Sequence, residues 1–203
     1  VVGDPKQLPP TNFFEKSTSD GDGNSEDISV IQDSESILEA IGGFTPKRML
    51  QWHYRSRHES LIAFSNYNFY DSRLIVFPSP WDQSEEFGVK HHYVEHGRFL
   101  SGVNQTESHA VVNAIVRHLM SSKESLGVVA MNSRQRDQIE ADLETAAQSD
   151  ATLAATLALS RSSNDPFFIK NLENVQGDER DVIFISFTYG PAERGASAIP
   201  QRF

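Results

Sequence analysis

Leu126-Gly127-Val128-Val129-Ala130-Met131 is an unbroken apolar run flanked on both sides by segments of helical period. A strand with no polar side must be covered on both faces, which is the usual condition of a strand inside a parallel sheet. Before it, Glu107 to Met120 sets Val111, Val112, Ile115, Val116 and Leu119 along one side of a helix. After it, Arg134 to Ala147 predicts a second helix and Ala151 to Leu159 a third, followed by short strands at Phe167 to Ile169 and Asp181 to Phe187. Buried strands alternating with helices predict an α/β fold, a mostly parallel sheet with helices on both faces. Ligands of such sheets sit beyond the carboxyl ends of the strands, so the loops that follow strands are where chemistry is sought.

The first half is less regular. Val1-Val2 reads as the end of a buried strand, and a chain that opens in this way without an initiator Met is expected to be a fragment. The Ser/Gly/Asp-rich stretch Ser17 to Ser25 reads as a loop, and Ser34 as the N-cap of a short helix carrying Ile37, Leu38 and Ile41 and stopped by Gly42-Gly43. Met49 to Trp52 predicts a strand, about His58 to Tyr70 a helix with Leu61, Phe64 and Phe69 at helical spacing, and His91 to Val94 a further short strand. No apolar run is long enough to span a membrane and no leader opens the chain, so a cytoplasmic protein without membrane partners is expected. Cysteine is absent, which excludes disulfides, thiolate zinc sites and cysteine nucleophiles. A formal net charge of -10 argues against a broadly basic, phosphate-binding surface. Much of that acidity is concentrated in Asp20, Asp22, Glu26, Asp27, Asp33 and Glu35, read as a solvated loop.

Three segments at predicted strand ends carry candidate chemistry. Gly3-Asp4-Pro5-Lys6-Gln7-Leu8-Pro9-Pro10-Thr11 is a stiffened loop in which the Gln7 amide can bond both a phosphate oxygen and an attacking water. It is also the composition of an ordinary Pro-rich turn. In Trp52-His53-Tyr54-Arg55-Ser56-Arg57-His58-Glu59-Ser60 an Arg on a strand-to-helix loop can project a planar, permanent charge at a transferring phosphoryl group, and Tyr54 can stack on a base. A solvated Arg pair at a helix start has the same pattern. The third segment, Asn171-Leu172-Glu173-Asn174-Val175-Gln176-Gly177-Asp178-Glu179-Arg180-Asp181, runs straight into Val182-Ile183-Phe184-Ile185-Ser186. Glu179 can accept two ribose hydroxyl bonds and Gly177 allows close approach of a ligand, although a capping and turn cluster would look alike.

Taken in this order, the three segments resemble motifs III, IV and V of superfamily 1 helicases, in the subgroup of the nonsense-decay and Okazaki-maturation enzymes and closest to bacterial members. Phe64-Ser65-Asn66, Phe69-Tyr70 with Leu74, and Ala130-Met131-Asn132 leading into Gln135 to Leu143 share the likeness, which covers nearly the whole chain outside the acidic insert. The resemblance implies the second RecA-like P-loop NTPase motor domain over residues 47–203. Residues 1–16 would end the first motor domain, and residues 17–46 would form an acidic loop and connecting helix. It implies catalytic roles for Arg55, as an arginine finger, and Gln7, as the sensor of the γ-phosphate. Tyr54 would lie beside the adenine and Glu179 on the ribose. Gly177 and Gln176, with Asn132, would join nucleotide to strand. ATP and Mg2+ would be the cofactors of the complete enzyme and single-stranded nucleic acid its partner, DNA ahead of RNA, with 5'-to-3' polarity.

The departures from the family pattern are as informative. No G-x-x-x-x-G-K-[ST] loop and no magnesium-binding Walker B pair occur, and the chain ends at Gln201-Arg202-Phe203, where motif VI would begin. The first RecA-like domain is therefore the expected partner, and the isolated chain is expected not to hydrolyse ATP. A degenerate RecA-like module that binds protein or nucleic acid without hydrolysis is the alternative, and a nuclease-associated module a third possibility. No metal site is expected: His91 and His92, as neighbours on a strand, point to opposite faces. The aromatic run Phe64, Tyr67, Phe69 and Tyr70 is read as helix core in preference to a stacking platform for bases.

Overall fold

In the computed structural model the described residues are 3, 4, 6, 7, 37–80 and 87–191. The expectations for Val1-Val2, Ser17 to Ser25, Ser34 and the acidic insert lie outside them. In chain order the elements are α1 (Ile37–Gly42), β1 (Trp52–His53), α2 (Ser60–Phe69), β2 (Ile75–Val76), α3 (Gln105–Ser121), β3 (Leu126–Ala130), α4 (Ser133–Ser149), α5 (Ala151–Arg161), β4 (Phe168–Asn171), a 3-10 turn (Leu172–Asn174) and β5 (Val182–Ser186). The chain divides into two units, residues 1–92 and 93–203, so the division falls within the span expected to form the second motor domain.

The second unit is built on a three-stranded sheet in the order β4-β3-β5, with both pairings parallel and Val128 opposite Ile169 and Phe184. Every residue of β3 is buried, as its uniform apolarity requires. Leu126, Val128, Ala130, Ile169, Val182 and Phe184 share one face of the sheet and meet Val112 and Ile115 of α3, Ile139 and Leu143 of α4, and Leu157 of α5. Burying each such aliphatic side chain stabilises the unit by about 1.5–3 kcal/mol, which makes this cluster its principal source of stability. The helices begin where side chains satisfy their first backbone N–H groups. Asn104 accepts from Glu107 N, Asn132 from Gln135 N, and Asp150 from Thr152 N and Leu153 N.

The opposite face of the sheet is arranged differently. Among the described residues it is crossed not by a helix but by the connection 172–181, which runs from the carboxyl end of β4 to the amino end of β5. Phe168 and Ile183 close over Gly127, where a Cβ would come within 2.5 Å of the Phe168 ring and 2.9 Å of Ile183 Cδ1. The remaining apolar side chains of β5 on this face stay open to solvent, Ile185 at 55% exposure and Phe187, just beyond the strand, at 61%.

In the first unit β1 and β2 pair in parallel, Trp52 opposite Ile75 and His53 opposite Val76, with α2 as the crossover. Asn66 fastens the end of that crossover: its Oδ1 accepts from Leu74 N at 3.0 Å and its Nδ2 donates to Leu74 O at 3.1 Å. The strand expected at Met49 to Trp52 forms slightly later, and the expected helix at His58 to Tyr70 is trimmed at both ends. Two expectations fail. Residues 91–94 form no strand, since no ladder reaches them among the described residues. The aromatic run on α2 is not core, because Phe64 is 70% and Tyr67 76% exposed. Two strands of two residues each present too little apolar surface to cover a helix face. The rings settle on one another instead, Phe64 edge-on to Phe69 and Trp52 stacked on Phe77.

Candidate functional site

Tyr54 and Arg55 follow β1 directly, at its carboxyl end, on a loop that two histidines hold in shape. His53 Nε2 lies 2.7 Å from Ser56 Oγ and accepts from Ser56 N at 3.3 Å, which places the ring proton of neutral His53 on Nδ1. His58, buried at the far end of the loop, accepts from Ser60 N through Nδ1 at 3.1 Å. Ser60 Oγ, 2.8 Å from that nitrogen, accepts in turn from Val89 N at 3.0 Å. Gly88 is required for this closure: its φ is +88°, and a Cβ there would stand 2.7 Å from Ser60 Oγ and 2.8 Å from His58 Nδ1. Between the two clamps Arg55 and Arg57 are exposed, and the Tyr54 ring is 86% exposed.

Gln7 belongs to the same unit. Its Nε2 donates to Asp4 Oδ2 at 3.3 Å, Lys6 N donates to Asp4 Oδ1 at 3.0 Å, and Tyr70 Oη donates to the same Asp4 Oδ2 at 2.5 Å. The hydrogen bond to that carboxylate, which ionisation would break, pushes the Tyr70 phenol up to about 12, with burial and then the Asp4 charge adding to the shift.

In the second unit Gln176, Gly177 and Glu179 lie exposed along the 172–181 connection. Gly177 has φ +87° with open space where a Cβ would stand, so conformation and not crowding demands glycine there. The connection is pinned on either side of Glu179. Lys170 Nζ meets Asp178 Oδ2 at 2.5 Å, and Asp181 Oδ2 accepts from Ser125 N at 3.1 Å and Ser125 Oγ at 2.8 Å. Arg180 donates twice to Pro166 O while its guanidinium lies 4.8 Å from the Phe168 ring centre. Gln176 and Gly177 thus sit toward the carboxyl end of β4, and Glu179 further along the face of the sheet.

Asn132 caps α4: its side-chain oxygen accepts from Gln135 N at 2.8 Å. The surrounding cluster was not anticipated from the sequence. Gln135, fully buried, accepts from Asn104 N at 2.8 Å and donates to Asn104 O at 3.2 Å and Ser186 Oγ at 3.3 Å. Glu107 Oε1 accepts from Ser186 Oγ at 2.7 Å and Thr188 N at 2.9 Å, and its Oε2 accepts from Asn104 Nδ2 at 3.1 Å. The N-termini of α3 and α4 are thereby fastened to the carboxyl end of β5, where Thr188, buried and β-branched, holds φ 67°. The spacings Asn104-x-x-Glu107 and Asn132-x-x-Gln135 are capping-box signatures and were the available signal. Nothing local marks Thr188.

A parallel α/β architecture with polar groups gathered at strand ends is shared by many unrelated proteins, so the family rests on sequence likeness. Residues 34–196, most of the chain, match the AAA domain family. The chain belongs to that family. Relatives of this AAA domain chain include the uncharacterized ATP-dependent helicase MG140 of Mycoplasma genitalium, 33% identical over 197 residues, and its homologue in Mycoplasma pneumoniae, 32% identical over 197 residues. The match covers 93% of this chain and 17% of each relative, so the AAA domain chain spans about a sixth of the proteins it resembles. Among its described residues no helix is long and apolar enough to cross a membrane, and no group of three or more His, Asp or Glu side chains could hold a metal ion.

Proposed function

We propose that the chain is part of an ATP-dependent superfamily 1 helicase of the 5'-to-3' subgroup and supplies the arginine finger and part of the nucleotide and strand-binding surface. The observation that carries this reading is the loop after β1. It presents Tyr54 and Arg55 outward from a backbone clamped at both ends by His53–Ser56 and His58–Ser60, so a planar cation and an aromatic face are held in place before any ligand arrives. The likeness to two proteins named as ATP-dependent helicases supports it.

In this reading residues 1–16 close the first RecA-like domain, residues 17–46 connect, and residues 47–203 belong to the second. ATP supplies the phosphoanhydride whose cleavage drives the cycle. Tyr54 would stack on the adenine and Glu179 would accept ribose hydroxyls, while Arg55 would neutralise charge building on the terminal phosphate and Gln7 would orient the attacking water. Gln176, Gly177 and Asn132 pass the nucleotide state to single-stranded DNA. The residues present fit only part of ATP. Exposed Tyr54, Arg55 and Glu179 suit base, phosphate and ribose, while the phosphate-cradling loop and the magnesium carboxylate are expected from the first motor domain. Strand separation by the parent protein on duplexes carrying a 5' or a 3' single-stranded tail tests the reading. ATP-dependent opening of the 5'-tailed duplex is expected. ATP-independent binding without unwinding or hydrolysis would favour a degenerate RecA-like binding module.

A further inference from the structure

We propose that Tyr70 is a positioning residue that ties Asp4 and Gln7 to the carboxyl end of α2, so that movement of Gln7 at a nucleotide is transmitted along α2 to the Tyr54–Arg55 loop. The inference rests on the helicase reading and names the coupling device within it.

The geometry is specific. Asp4 Oδ2 is the shared acceptor of two donors distant in sequence, Gln7 Nε2 at 3.3 Å and Tyr70 Oη at 2.5 Å. Its other oxygen, Oδ1, accepts from Lys6 N, so the carboxylate organises the whole local turn. Tyr70 is the residue on which α2 ends, with its own N–H donating to Asn66 O, and Asn66 is in turn doubly bonded to Leu74. The phenol therefore projects from a point the backbone cannot easily release. At its other end α2 begins two residues after buried His58, the second clamp of the loop that presents Arg55. A helix of ten residues is a rod about 15 Å long that transmits displacement with little bending. A hydrogen bond to a carboxylate is among the stronger of its kind, enough to make two loops move together, and the phenol raised to about 12 keeps its proton throughout the working range. Coupling requires an element that both sites bias, and α2 is the one the bond selects.

The test uses the parent protein with Tyr70→Phe, Asp4→Asn and the double variant, assayed for ATP turnover with and without saturating single-stranded DNA. Tyr70→Phe removes only a hydroxyl from a part-exposed ring, so it tests the bond with little risk to folding. Each single variant is expected to lose about tenfold in strand-stimulated kcat, the loss of one charge-assisted hydrogen bond, while KM for ATP shifts by less than about twofold. The double variant is expected to be no worse than the more severe single one, since Tyr70→Phe removes the donor and Asp4→Asn the acceptor's charge from the same bond. A purely structural role would instead lower thermal stability and change KM and kcat together. A second readout is the near-ultraviolet phenolate titration of the 203-residue chain, where one tyrosine should ionise well above the ordinary range and be missing in Tyr70→Phe. Stimulated turnover in Tyr70→Phe within about twofold of wild type overturns the coupling role while leaving the helicase reading intact. Additive losses in the double variant, or the absence of a late-ionising phenol, overturn it equally. A wild-type parent with no strand-stimulated hydrolysis overturns both.

Discussion

Single residues carry the sharpest consequences. Gly88→Ala must force a methyl against Ser60 Oγ and His58 Nδ1 from a backbone at φ +88°, so a cost of about 1–3 kcal/mol is expected, together with release of the second clamp of the Arg55 loop. Thermal unfolding with amide exchange of residues 53–60 measures both effects, and unchanged protection would show that the clamp does not depend on glycine. Tyr70 gives a pH dependence of definite sign. Its folded value of about 12 lies above the ordinary 10, so the folded state holds the proton more tightly. The stabilisation is complete below pH 10 and fades as pH rises through 10 toward about 12. Denaturant midpoints of wild type and Tyr70→Phe should therefore differ at neutral pH and converge above that window. Midpoints that stay equally far apart at every pH would contradict the assignment.

At the scale of elements, the buried polar knot that joins α3, α4 and β5 should be costly to open. Gln135→Ala leaves Asn104 N without its acceptor in a site sealed from water, and deprives Asn104 O and Ser186 Oγ of a donor. About 1–3 kcal/mol is expected for the stranded Asn104 N, since Asn104 O still accepts from Ser108 N and Ser186 Oγ still donates to Glu107 Oε1, against about 1 kcal/mol for loss of the α4 cap in Asn132→Ala. Chemical denaturation ranks the two, and the reverse order would mean that the knot adds little beyond capping. These elements also show what sequence can and cannot reveal. The strands and helices from Gln105 to Ser186 were legible because period and apolarity agree there, and β3 was read to within one residue because every one of its side chains is buried. The Tyr54–Arg55 loop was placed correctly after a strand and before a helix for the same reason. The aromatic face of α2 was misread because periodicity records which side chains share a face and not whether anything covers it. The Glu107–Ser186–Thr188 knot and the Tyr70–Asp4 bond join residues 79, 81 and 66 positions apart, a separation at which a single sequence carries no signal.

For the whole molecule, the buried apolar core and the proposed catalytic residues fall in different units. Every described apolar side chain that is buried belongs to residues 93–203, whereas Tyr54, Arg55 and Gln7 lie in residues 1–92. Slow amide exchange is therefore expected in α3, β3 and α4 and fast exchange in β1 and β2, and the reverse pattern would contradict the assignment of the core. The central claim is that Arg55 acts as an arginine finger. Steady-state ATP turnover by the full-length parent with saturating single-stranded DNA tests it most directly, comparing wild type with Arg55→Ala, Arg55→Lys and Arg57→Ala. Because a finger stabilises charge that develops in the transition state, Arg55→Ala is expected to lower kcat by about 10³–10⁵ with little change in nucleotide binding. Lysine should rescue little, since its compact ammonium lacks the planar two-pronged contact, and Arg57→Ala should be milder. Near-normal turnover in Arg55→Ala alongside lost turnover in Arg57→Ala would contradict the claim.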